Sequence, residues 1–203
     1  MPRMREKKLS YSALSFEQVR KQFHLSLTLQ PIFPEFRPIP PSEFLRAMLL
    51  RAADLSLLSE KARSEFIVAP ILLEVRELTH HAISIYSGVR FDVSPKEGLQ
   101  GICDFIVTKS PPLPAVQTPI LMMVEAKKND LDEGLGQCVA EMIAAQRVNQ
   151  EDNAQNSSVF GCVTTGELWQ FLRLSETTLL IDPTKQYIDH IEAILGVLLA
   201  MVS

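Results

Sequence analysis

Residues 101–127 read GICDFIVTKSPPLPAVQTPILMMVEAK, two apolar stretches joined by a proline-rich connection. The β-branched and aromatic residues of Gly101 to Thr108 and of Ile120 to Ala126 predict two neighbouring strands. Each strand carries a carboxylate in apolar surroundings, Asp104 in the first and Glu125 near the end of the second. Because burial of a carboxylate costs free energy unless a partner or a metal ion offsets it, these two charges call for an explanation.

The triplet Glu125-Ala126-Lys127 places two opposite charges on one side of the second strand, since side chains alternate along a strand. If the two strands pair, Asp104 and Glu125 converge within metal-sharing distance. Two carboxylates with water and phosphate oxygens suit Mg²⁺, and Lys127 would then position or help deprotonate an attacking water. The alternative is a solvent-exposed ion pair without function, and the same acidic-x-Lys pattern also occurs in the charged tail at 6–8.

Size, charge and cysteine usage limit the class of protein. A chain of 203 residues fits one domain, and a net charge of −4 argues against a protein that coats nucleic acid, because such proteins need clustered Lys and Arg. The three cysteines are widely spaced and predict buried, reduced thiols. No signal peptide is evident, and the longest apolar run, Ala193 to Val202, is too short to span a membrane. We therefore expect a cytoplasmic protein with no membrane association.

The chain divides into an N-terminal arm, residues 1–41, and a domain over 42–203. In the arm a capping box at Ser15 to Gln18 opens a short helix, and five prolines follow between Pro31 and Pro41. The proline density predicts an ordered but irregular arm.

The domain begins with helices and continues with strands. Ser42 and Ser59 are predicted N-caps of two helices, and Pro70 kinks the second helix or begins a new one. The residues Ser87-Gly88 predict a turn between two short strands. The predicted strands of the first half are Ala82 to Tyr86, Val89 to Val93, Gly101 to Thr108 and Ile120 to Ala126.

A long helix and a second group of strands form the C-terminal half. Asp130 to Glu133 resembles a capping box for a helix of about 17 residues. Asp182-Pro183 predicts the start of a last helix, whose buried stripe would include Tyr187. The predicted strands of this half are Val159 to Thr164, Leu168 to Leu174 and Thr178 to Ile181, the first two joined in a hairpin at Thr165-Gly166.

The stretch Gly101-Ile-Cys-Asp104, the following loop, and Glu125-Ala-Lys127 with Gln137 on the next helix resemble the PD-(D/E)XK, or restriction-endonuclease-like, nuclease superfamily. The resemblance covers roughly residues 59 to 172. It implies an α/β fold with a restriction-endonuclease-like mixed β-sheet flanked by helices. It also implies that Asp104 and Glu125 bind Mg²⁺ or Mn²⁺, and that Lys127 activates water.

The same resemblance points to two further active-site residues. The helix that opens at Ser59 resembles one from which a glutamate approaches the active site, which points to Glu60 and less securely to Glu74. Gln137 resembles a glutamine that points back toward the metal, although an exposed helix residue is an equal alternative. Glu141 stands on the same face, where the best-known nuclease branches have tyrosine.

The whole chain also resembles a group of uncharacterised proteins abundant in cyanobacteria. The stretches that carry this likeness are Leu14 to Gln18, Phe33 to Glu35, Pro41 to Glu43 and Gly166 to Phe171.

The expected function is Mg²⁺-dependent hydrolysis of phosphodiester bonds in DNA. The alternative is a catalytically inactive nuclease-fold module that binds a protein or nucleic acid. A homodimer through the apolar C-terminal helix is a further expectation.

Overall fold

One mixed β-sheet with helices on both faces organises the chain, and this confirms the α/β class. The computed structural model describes residues 9–154 and 158–203, so the charged triplet at 6–8 lies outside the described residues. The strands are β1 Ser26–Leu29, β2 Ser84–Arg90, β3 Ile102–Thr108, β4 Ile120–Ala126, β5 Ser158–Thr164, β6 Leu168–Ser175, β7 Thr178–Ile181 and β8 Gln186–Tyr187. The α-helices are α1 Phe16–Gln22, α2 Glu43–Ala53, α3 Glu60–Arg63, α4 Ala69–Leu78, α5 Leu131–Glu151 and α6 Ile191–Val202.

The strands lie in the order β1-β7-β6-β5-β4-β3-β2, and β8 pairs with β6. β3 is antiparallel to β2 and β4, β4 is parallel to β5, and β6 is antiparallel to β5 and β7. The parallel β4–β5 pair requires a crossover, which α5 supplies. β1 comes from the N-terminal arm and pairs in parallel with β7, so the arm contributes a strand to the sheet.

Two apolar clusters fill the space between the sheet and its helices. On one face α2, α4 and α6 cover side chains such as Phe105, Val124 and Trp169. On the other face α1 and α5 cover Met123 and Leu172. Cys103, Cys138 and Cys162 are free and buried, as the sequence predicts.

Four of the predicted helix starts are confirmed, those at Ser15, Ser42, Ser59 and Asp130. Ser15 forms the complete capping box with Gln18, and Ser42 Oγ accepts a hydrogen bond from the Leu45 backbone N–H at 3.1 Å. Ser59 caps α3, which continues through a π-helical turn, Ser64–Val68, into α4. The wider turn comes just before Pro70, whose ring cannot donate to the helical ladder. α5 begins after Asp130 and spans 21 residues, longer than predicted.

Three expectations are wrong. β2 runs unbroken through Ser87-Gly88, because pairing with β3 continues on both sides of Gly88, whose φ is +64°. The last helix begins at Ile191, since the Asp182 carboxylate instead accepts hydrogen bonds from Ile32 N at 3.1 Å and Thr184 N at 2.9 Å. Tyr187 is consequently exposed on β8.

The apolar face of α6 is covered by the chain's own core, with Ile194, Leu195 and Leu198 fully buried. That face is therefore not an open dimer surface. Within the described residues, no helix has the length and apolar character needed to cross a bilayer.

Candidate functional site

The candidate site lies where β3 and β4 separate. Their backbone pairing ends at Phe105 and Val124, which adjoin the two predicted carboxylates: Asp104 precedes Phe105 and Glu125 follows Val124. Beyond that point the Asp104 side chain replaces a backbone partner, because the Ala126 N–H donates to Asp104 Oδ2 at 2.8 Å. The register thus brings Asp104 to the same end of the sheet as Glu125, as the two-strand argument predicts.

A chain of side-chain contacts leads from Glu125 into α5. Lys127 Nζ lies 2.6 Å from Glu125 Oε1 and donates to Gln137 Oε1 at 3.3 Å. Gln137 Nε2 in turn donates to Glu141 Oε1 at 3.1 Å. Since an ammonium can only donate, the Gln137 oxygen must face Lys127, and its amide nitrogen then needs the acceptor that Glu141 provides.

Gln137 is therefore buried in the site, not exposed on the helix. Of the two interpretations of this residue, the structure supports the one in which the amide points back toward the motif carboxylates.

Burial and mutual repulsion perturb the carboxylates. Glu125 is only 1% exposed, and burial together with the Asp104 charge raises its pKa to about 8. Burial also raises the pKa of Asp104, although the Ala126 N–H and Lys127 oppose that effect. Burial lowers the pKa of Lys127, but the Glu125 carboxylate outweighs it and leaves that pKa raised. Burial thus opposes charge on Glu125, while the contact with Glu125 keeps Lys127 protonated at neutral pH.

Glu60 borders the site and Glu74 does not. Glu60 lines a cleft of about 300 Å³ with Asp104 and Gly88, between α3 and the ends of β2 and β3. Its charge raises the pKa values of Asp104 and Glu125. The Glu74 carboxylate instead accepts two 2.7 Å hydrogen bonds from the backbone N–H and hydroxyl of Ser42, so it ties α4 to the start of α2.

Two residues of the site have no role assigned from the sequence, although Glu141 is noted there as sharing the helix face of Gln137. Glu141 is fully buried, and burial plus the Glu125 charge raises its pKa well above the usual value. The available signal was a carboxylate between the apolar residues of a helix face. Gly134 lets α5 pass against the site, because a Cβ at this position would lie 2.8 Å from Lys127 Cγ. No local pattern reveals that close approach.

The donor set suits a hard divalent cation. Glu125 Oε2 is buried without a hydrogen-bond partner in the described residues, and Asp104 engages only Oδ2. Mg²⁺ is commonly held by one or two carboxylates, with water and phosphate completing its shell. Over residues 9–154 and 158–203 no group of three or more His, Cys, Asp or Glu is arranged to hold a metal ion. Any cation here would depend on the two carboxylate oxygens without a hydrogen-bond partner, Asp104 Oδ1 and Glu125 Oε2.

Asp104 and Glu125 are the residues that could hold a cation, beside a lysine whose ammonium is fixed by Glu125 and Gln137. The sequence matches no protein-family model and no curated protein with which it was compared, so the geometry of this site is what any assignment of function rests on.

Proposed function

We propose that the chain is a metal-dependent nuclease that hydrolyses phosphodiester bonds in DNA, with an active site of the PD-(D/E)XK type that its motif resembles. The observation that carries the proposal is the hydrogen bond from the Ala126 N–H to Asp104. It supports the convergence of Asp104 on Glu125 and Lys127 at an open end of the sheet. A restriction-endonuclease-like fold and Mg²⁺ or Mn²⁺ as the cofactor belong to this proposal.

Asp104 and Glu125 would hold the cation through Asp104 Oδ1 and Glu125 Oε2. A bound divalent cation would lower the pKa of a coordinated water and offset charge on the scissile phosphate. Because a ligating carboxylate must be ionised, a bound cation would favour the charged form of Glu125.

Lys127 would orient the attacking water and contact the phosphate. Two of the three ammonium N–H groups donate to Glu125 and Gln137, which leaves the third for water or a phosphate oxygen. Gln137 on α5 would hold the Lys127 ammonium from the helix side, so that the remaining N–H is directed away from α5. Glu60 would add negative charge at the cleft and favour cation binding.

A cleavage assay tests the proposal directly. Purified protein is incubated with single-stranded, duplex and branched DNA, and with RNA, in Mg²⁺ or Mn²⁺. Lys127→Ala should lower the cleavage rate by about 10² to 10⁴-fold, the range for loss of a group that acts on the reacting proton. Lys128→Ala is the matched control, because this exposed neighbour lies outside the contact chain. Failure of the wild type to cut any substrate in either metal would refute the proposal.

A second candidate is a nuclease-fold module without catalytic activity that binds a protein or a nucleic acid. It is favoured by the 2.6 Å contact between Lys127 and Glu125, since the ammonium already offsets the Glu125 charge and leaves a single Glu125 oxygen for a metal ion. The acidic net charge of −4 also fits a protein partner better than a nucleic acid.

Titration calorimetry with Mn²⁺ separates the two candidates without requiring turnover. The nuclease should bind the ion, and Asp104→Ala should abolish that binding. An inactive module should give no heat with either protein. Glu65→Ala, which removes an exposed carboxylate at the cleft edge, is the control for general electrostatic effects.

A further inference from the structure

The outward face of α2 carries large apolar side chains with no partner in the described chain. α2 packs on α4 and the π-helical turn through its opposite face, where Leu45 and Ala52 are buried. On the outward side Phe44 is 69% exposed and Leu50 is 73% exposed. At 100° per residue these two side chains flank Ala47, one on each side.

Two opposite charges continue the same face. Glu43 lies four residues before Ala47 and Arg51 four residues after it, and both are exposed. Neither forms an ion pair within the described residues. The face therefore has an acidic end, a basic end and a small residue at its middle.

This pattern is self-complementary for an antiparallel helix pair. A two-fold axis at Ala47 places residues at equal distances from Ala47 opposite each other. Glu43 then lies at the same height as Arg51 of a second copy, close enough across the interface for an ion pair, while Phe44 packs beside the aliphatic part of that Arg51 and Leu50 beside Glu43 of the second copy. Each contact occurs twice, as an isologous interface requires. Ala47 meets its own counterpart at the axis, where a small side chain lets the helices approach closely.

We propose that a second copy of this chain docks on this face, so that the protein forms a two-fold homodimer through antiparallel α2 helices. The charges select this register. Sliding the second copy by three residues, slightly less than one helical turn, moves the axis to between Met48 and Leu49 and brings Glu43 against Asp54 of that copy, where the like charges repel.

The size of the surface sets the expected affinity. A buried Phe covers about 150–250 Å², whereas a stable interface buries about 1,200–2,000 Å² in total. The helix face alone falls short, but exposed Leu55 and Leu58 extend it beyond the C-terminal end of α2. We therefore expect a dissociation constant in the micromolar range.

Sedimentation velocity measured between about 1 and 100 µM tests the dimer. The wild type should shift from monomer to dimer within this range. Leu50→Glu should weaken association at least about tenfold, since it removes an apolar contact and places a negative charge beside Glu43 of the second copy. Leu29→Glu is the matched control, because Leu29 is 72% exposed but lies on β1, and it should leave association unchanged.

A charge exchange tests the register. Glu43→Arg or Arg51→Glu alone should weaken the dimer, because each places like charges opposite each other twice. The double variant E43R/R51E should restore association, since the pairs re-form with exchanged signs. A wild type that stays monomeric, an undisturbed Leu50→Glu dimer, or a double variant no better than the single ones would overturn the proposal. Circular dichroism establishes that each variant is folded.

Discussion

Replacing Glu141 with glutamine should stabilise the protein and change how its stability depends on pH. Glu141 is completely buried, with 0% of its surface accessible. Among the described residues its hydrogen-bond partner is the neutral amide of Gln137, so no cation offsets the free-energy cost of burying its charge. Its Oε2 lacks a hydrogen-bond partner in the described residues. Glutamine has the same shape, keeps the oxygen that accepts from Gln137, and carries no titratable proton.

The magnitude follows from proton linkage. The pKa of Glu141 is raised by burial, so between the unfolded value of 4.5 and the folded value the native state holds a proton that the unfolded state has lost. In this window the free energy of unfolding falls by about 1.4 kcal/mol for each unit of rising pH. Glu141→Gln removes this contribution, so its stabilising effect is close to zero near pH 4.5 and grows by up to about 1.4 kcal/mol per unit as the pH rises through the window.

Urea denaturation in chelator-containing buffer between pH 5 and pH 7.5 measures the effect. The slope of the free energy of unfolding against pH should differ between wild type and Glu141→Gln by about 1.4 kcal/mol per unit. The control is Glu133→Gln, which removes an exposed carboxylate from the same helix and should leave the slope unchanged. Parallel curves for wild type and Glu141→Gln would refute the reasoning, because they would mean that Glu141 is ionised in the folded protein.

Three other perturbations have defined outcomes. Arg147 donates to both Glu97 oxygens and holds the pKa of Glu97 at about 2, so this pair stabilises the fold above pH 4.5 and is lost as the pH falls toward 2. Because both groups are partly exposed, Glu97→Gln should cost only about 1 kcal/mol in urea denaturation at pH 6, and nothing at pH 2. Glu74→Ala frees the N-cap of α2 and should cost about 1–3 kcal/mol, seen as a lower Tm. Gly134→Ala should displace α5 from Lys127 and weaken Mn²⁺ binding in calorimetry.

A specific result would contradict each of these three predictions. A Glu97→Gln loss that persists at pH 2 would mean that the ion pair is not its source. An unchanged Tm for Glu74→Ala would mean that Ser42 caps α2 without help from Glu74. For Gly134, normal Mn²⁺ affinity in the alanine variant would show that the helix does not set the position of the lysine.

The sequence by itself determined the elements with strong local signals. β3 and β4 were predicted within one residue of their bounds, because apolar β-branched runs end at clear turn residues. The caps at Ser15, Ser42 and Ser59 were correct, since a hydroxyl that accepts a backbone N–H is a local interaction. Asp104, Glu125 and Lys127 stood out because charge is costly inside apolar strands.

Local signals failed where a distant partner competed for the same groups. The Ser87-Gly88 pair has the local signature of a turn, but pairing with β3 on both sides of Gly88 holds it within a continuous strand. Asp182 had the chemistry of a helix cap, yet its carboxylate binds the backbone of Ile32, which is remote in sequence.

Only the tertiary structure decided which side chains surround the motif. The crossover from β4 to β5 lays α5 across the site, which buries Gln137 against Lys127 and places Glu141 behind it. The same packing turns one face of α2 inward and leaves Phe44 and Leu50 in solvent. A sequence pattern fixes which face of an element is apolar, whereas the packing of elements far apart in the chain fixes what each face meets.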